Sequence, residues 1–118
     1  MGKMQRTKGA AFERWLVRKF NATLIGHPWK RGLQSRGGGA EVPDLDGPVF
    51  HVEAKHQIRP NIAAALHQAE QDTDGRIPVA VTKANREEPI VSMRLDAWLA
   101  LAEEYLARMS DGSINEPV

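Results

Sequence analysis

The chain of 118 residues is 42% hydrophobic and 26% charged, ordinary proportions for one globular domain with a single modest core. It has no cysteine, which excludes disulfides and thiolate metal sites, and no apolar run approaches the ~20 residues that span a bilayer. The net charge of +1 conceals a division: residues 1–39 carry nine Lys and Arg against Glu13 alone, and residues 40–118 carry seven against fourteen acids. A basic third leading into an acidic remainder suits a polyanion held against a cation-binding centre. A solvated basic helix accounts for the same charge without a ligand. No apolar segment follows the basic N-terminus, so it does not read as a secretory signal, and a cytoplasmic protein without membrane contact is expected.

Residues 1–6 read as a basic arm, with Thr7 capping a helix over KGAAFERWLVRKFNA. Phe12, Trp15, Leu16 and Phe20 recur at helical spacing and form its apolar stripe. Glu13 lies on the flank of that stripe, where its i±3 and i±4 neighbours include no cation. Such an acid needs water, a cation or a metal, and a solvent-facing rim glutamate is the plain alternative. Residues 21–39 form a Gly- and Arg-rich connection in which Leu33–Arg36 could supply a short first strand. The Gly37–Gly39 run matches neither a P-loop nor a dinucleotide fingerprint. It is either a loose loop or, with Ser35 and Arg36, a phosphate contact.

The next stretch, PDLDGPVFHVEAK, carries the chemistry. Asp46-Gly47 signals a hairpin turn. On the second strand His51, Glu53 and Lys55 share one face, and Phe50, Val52 and Ala54 the other. Asn61 caps a second helix with Ile62, Ala65, Leu66 and Ala69 as its buried face, ended by Asp74-Gly75. Strands follow at 77–82 and 89–93. Asp96 caps a last helix with Leu95, Leu99, Ala102, Leu106 and Met109 at core spacing, and residues 110–118 form a polar tail. The order α–β–β–β–α–β–β–α predicts a single α/β domain over residues 1–109, with a mixed sheet between helices.

Hard divalent cations take carboxylate oxygens. Asp44 and Glu53 could hold one between them, Glu13 could join directly or through water, and Lys55 could stabilise a pentavalent phosphate or orient a water. No Ser or Cys nucleophile with a base is apparent. The four histidines lack zinc spacing, although His51 could flank the site. The spacing sets a condition. A tight two-residue turn at Asp46-Gly47 would pair Asp44 with Val49, leaving it roughly 13 Å short of Glu53 along the strand. A shared metal therefore requires a wider loop, a bulge or a bend.

Lys8-Gly9-Ala10…Glu13-Arg14, Ser35-Arg36, Pro43-Asp44, Glu53-Ala54-Lys55, Gln68 and the Pro78–Val81 strand, in this order, resemble the PD-(D/E)xK nuclease superfamily. Within it the chain is similar to the small archaeal-type and phage-type Holliday junction resolvases. The resemblance implies a restriction-endonuclease-like core and cleavage of DNA with Mg2+, or Mn2+ in its place. It implies Glu13, Asp44 and Glu53 as metal-site acids with the Ala54 backbone carbonyl, Lys55 as the catalytic lysine and Gln68 as a helix residue near the site. It also implies a homodimer on a four-way junction, acting in recombination and repair near the nucleoid, or in the host cytoplasm if phage-encoded. Lys3, Arg6, Lys8, Arg14, Lys30, Arg31, Ser35 and Arg36 are the candidate DNA contacts. The competing readings are a nuclease of the same fold acting on a flap, nick or modified site, a non-catalytic DNA-binding module, and a plain interaction domain.

Overall fold

The computed structural model describes residues 2–32, 43–71 and 73–114, with side chains from Lys8 onward. It is a mixed α/β fold in the order α1 (Gly2–Thr23), β1 (Lys30–Arg31), β2 (Leu45–Asp46), β3 (Phe50–His56), α2 (Ile62–Glu70), β4 (Ile77–Lys83), β5 (Ile90–Ser92) and α3 (Leu95–Ser110). The five strands lie in sequence order in one sheet. Only β3 and β4 run parallel, because α2 carries the chain back between them; the other neighbours are antiparallel.

The alternation along β3 divides the two layers. Val52 and Ala54 join Phe12 and Leu16 of α1 with Trp29, Leu45, Val79 and Val81 in the main core. The opposite face, where Glu53 pairs in register with Ala80, meets α2 through Ala65 and Leu66. Asn61 caps α2 as expected, its side chain accepting from the Ala64 N–H at 3.0 Å. Ala65, Leu66 and Ala69 are buried as expected, and Ile62 is exposed.

Three expectations are corrected, and a fourth falls outside the described residues. α1 begins at Gly2, so Thr7 lies inside the helix and residues 2–6 are its first turns: the stretch contains good helix formers and no proline to stop it. The first strand is Lys30–Arg31; the expected strand at 33–36 lies outside the described residues. The cap of α3 is Arg94, with Asp96 in the first turn. Finally, α3 has no buried residue, and Leu95, Leu99 and Leu106 are exposed. Correct helical spacing there made a face that the described residues do not cover. The tail ends in turns at 111–114, and residues 115–118 lie outside the described part.

The β2–β3 connection is not a tight hairpin. Leu45 pairs with Val52 and Asp46 with His51, so four residues, 47–50, separate the last paired positions. Pro48 cannot donate the N–H that a close ladder would use, and Val49 takes the left-handed conformation at φ 72°. Two contacts hold the loop open. Arg76 Nη1 donates to Asp46 Oδ1 at 2.8 Å and to the Gly47 carbonyl at 3.1 Å. The Trp29 ring lies flat against Gly47, where a Cβ would come within 2.2 Å of ring carbon. Trp29 is itself pinned by Asn21, whose side chain accepts from its N–H at 2.7 Å and donates to its carbonyl at 2.9 Å. Gly47→Ala is expected to cost about 1–3 kcal/mol through overpacking against Trp29, measurable by urea unfolding. A variant as stable as wild type would show that the ring moves freely.

Candidate active site

β3 is seven residues long, and β2 only two. Beyond Val52 the β2-facing edge of β3 has no ladder partner among the described residues, and the Ala54 N–H is satisfied otherwise. It donates to Asp44 Oδ2 at 2.9 Å. The Asp44 carbonyl accepts from the Gly32 N–H at 2.9 Å, carrying the β1–β2 pairing one residue further. Asp44 is therefore held by its backbone on one side and by its carboxylate on the other. The β2–β3 register, continued by one residue, sets it across from Glu53, where directly opposed Cα atoms lie about 4.5–5.5 Å apart. The wider loop is what allows this. On a strand, the N–H and C=O of one residue face the same neighbour, so the Ala54 carbonyl opens onto the same edge as Asp44.

Glu53 is buried, with 4% of its surface exposed, and His51 Nε2 lies 3.8 Å from its Oε1. Lys55, half-buried, follows on the same face, in register with Thr82.

Glu13 enters from α1. Its side chain is 17% exposed, and Arg31 Nε and Nη2 both approach its Oε1 at 3.0 Å. The helix offers Glu13 no cation, but β1 does. Burial raises the Glu13 pKa above the usual carboxylate range and the Asp44 charge adds to this, while the Arg31 hydrogen bond and the Arg31 and Lys55 charges oppose it. Glu13, Asp44, Arg31 and Lys55 thus share one electrostatic environment.

A pH dependence follows from that shift. A carboxyl whose folded pKa is raised contributes its stability below the unfolded pKa and loses it as pH rises through the folded one. Ionised Glu13 therefore costs stability at neutral pH. Glu13→Gln is expected to melt at or above wild type at pH 7, and wild type is expected to gain on the variant as the pH falls to about 4. Thermal melts at the two pH values test this; a variant melting well below wild type at pH 7 would contradict it.

Gln68 sits on an exposed position of α2. Arg14, Lys30 and Arg31 are exposed, and Lys8 is half-buried with its Nζ donating to Asn85 Oδ1 at 2.7 Å. Lys3 and Arg6 lie on α1 without a described side chain, and Ser35 and Arg36 fall outside the described residues. His51 approaches Glu53 as their shared strand face suggested, whereas the bond from Ala54 to Asp44 and the clamp of Arg31 on Glu13 had no signal in the sequence.

Among the described residues no group of three or more His, Cys, Asp or Glu is arranged to hold a metal ion, and none of their helices is long and apolar enough to cross a membrane. A hard divalent cation of the Mg2+ kind takes one or two carboxylates and keeps several waters. Asp44, Glu53 and the Ala54 carbonyl would be the direct donors. Glu13, engaged by Arg31, would act through water. Comparison with protein-family models, curated proteins and solved structures found no match.

Proposed function

We propose that the chain is a metal-dependent DNA endonuclease with a restriction-endonuclease-like core, and that its substrate is a branched DNA such as a four-way junction. The observation that carries this reading is the bond from the Ala54 N–H to the Asp44 carboxylate. It joins the two acidic motifs at a sheet edge with a lysine and a third acid in the same environment. A non-catalytic binder has no use for carboxylates gathered where a polyanion would lie, since each repels phosphate.

A bound Mg2+ supplies a Lewis acid for the scissile phosphoryl oxygen and a water of lowered pKa. The chain's own residues do the rest. Asp44 and Glu53 would hold the cation at the sheet edge, and only through it the position of the reacting phosphate. Lys55 places an ammonium where charge develops on that phosphate. Arg31, 41% exposed in its side chain, balances Glu13 and can turn toward the DNA backbone. Exposed Arg14 and Lys30 extend the basic approach.

Substrate choice is tested with a synthetic four-way junction, a nicked duplex, a flap and a linear duplex of matched sequence in Mg2+. Symmetric nicks confined to the junction support a resolvase. Equal cutting of the linear duplex would replace it with a nuclease of broader target, and binding without cutting would leave only a DNA-binding module.

A further inference from the structure

We propose that the pocket between α1 and the ends of β3 and β4, walled by Trp15, takes one unstacked base of a DNA strand, with the phosphates of that strand on the lysines around it. Trp15 shares the α1 stripe with Phe12 and Leu16, which are 4% and 2% exposed, yet it is itself 38% exposed. Beside it lies a hollow of about 240 Å3 lined by Ala11, Phe12, Trp15, His56 and Lys83. Three of those five side chains are aromatic rings. Phe12 stacks on Trp15 with the ring planes 15° apart and the centroids 6.2 Å apart, and it meets the His56 ring in a T-shaped contact at 5.5 Å. Lysines surround the hollow. Lys19 Nζ lies over the Trp15 ring, 5.6 Å from its centroid. Lys83 is the register partner of His56. Lys8 Nζ donates to Asn85 Oδ1 at 2.7 Å, and the charges of Lys8 and Lys83 both act on His56. Among the described residues none of the three lysines pairs with a carboxylate.

This combination matches the two halves of a nucleotide. An aromatic wall stacks any base, because every base has a π-face, and ammonium groups at the rim take the phosphates on either side. An acidic peptide would engage the lysines and leave the rings without a role. Continuous duplex keeps its base faces in the stack, whereas a branch point, a flap or a single strand gives them up at lower cost. The pocket therefore selects for the branched substrates proposed above. It begins one residue past Lys55 on β3 and on the opposite face of that strand, and α1 carries Trp15 on one flank of its stripe and Glu13 on the other. The inference rests on the reading that the chain binds DNA, and not on cleavage.

The test compares binding, in chelator and at one salt concentration, to a short labelled oligothymidylate and to the same strand made abasic, which keeps the sugar–phosphate chain and lacks the bases. Wild type is expected to bind the base-bearing strand about 5- to 150-fold more tightly, the range that one stacked base supplies. Trp15→Ala is expected to lose that preference while keeping its affinity for the abasic strand, and Trp15→Phe to retain most of it. Lys8→Gln combined with Lys83→Gln is expected to weaken both strands alike and to reduce the salt dependence. Equal affinity of wild type for the two strands, or a preference that survives Trp15→Ala, would overturn the proposal. Tighter binding of polyglutamate than of either strand would also overturn it and give the pocket to an acidic peptide. If Trp15→Ala unfolds, the wild-type comparison decides. A protein that binds a four-way junction but treats the two strands alike loses the pocket and keeps the proposed function; one that binds no DNA loses both.

Discussion

Asp44→Asn is expected to lower the rate of DNA cleavage about 1,000-fold, close to 4 kcal/mol of transition-state stabilisation, while leaving the melting temperature nearly unchanged. The two effects separate because Asp44 has two roles. As a hydrogen-bond acceptor it satisfies the Ala54 N–H at 2.9 Å, and the amide oxygen of asparagine can do the same. As an anion it attracts a cation to the sheet edge, and asparagine cannot. Asp44→Ala removes both, and is expected to cost a further 1–2 kcal/mol or so of stability by leaving the Ala54 N–H unpaired. Mn2+ binding followed by electron paramagnetic resonance should weaken in both variants. Junction binding measured in chelator should persist in both, since it depends on the basic residues. If Asp44→Asn cut DNA at the wild-type rate, the carboxylate would be only a backbone clamp.

Lys55→Met is the second large effect. Methionine keeps most of the stem that lies along the half-buried strand face and removes the ammonium. The cleavage rate is expected to fall about 100- to 1,000-fold, as when one donor to a developing charge is lost, with the DNA dissociation constant changed less than about threefold. A variant that loses binding and rate in equal measure would make Lys55 an ordinary phosphate contact. Because Lys55 also opposes the rise in the Glu13 pKa, the substitution should push Glu13 further up, visible as a shift in the acid limb of a stability–pH curve.

Much of the architecture was legible because its signals are local. The alternation of Phe50, Val52 and Ala54 against His51, Glu53 and Lys55 assigned β3 and both its faces. Of the stripe Phe12, Trp15, Leu16 and Phe20, three residues located α1 on the main core while Trp15 is exposed, and Asn61 marked the start of α2. The β2–β3 turn was misleading because Asp46-Gly47 favours a two-residue hairpin. What keeps it open comes from afar: Trp29 against Gly47 and Arg76, about thirty positions on, against Asp46. The same holds for Glu13. Its cation lies on another element, eighteen residues along, where helical spacing has no reach. Helix α3 shows the converse. Its 3–4 spacing is real, but spacing reports an apolar face and does not say which molecule covers it.

The cleavage claim meets its most direct test in purified protein mixed with a labelled four-way junction, once in Mg2+ and once in excess chelator. The expected result is nicked product in Mg2+ alone, with the junction bound but intact in chelator. A junction that stays intact in Mg2+ and in Mn2+ while bound by folded protein would contradict it.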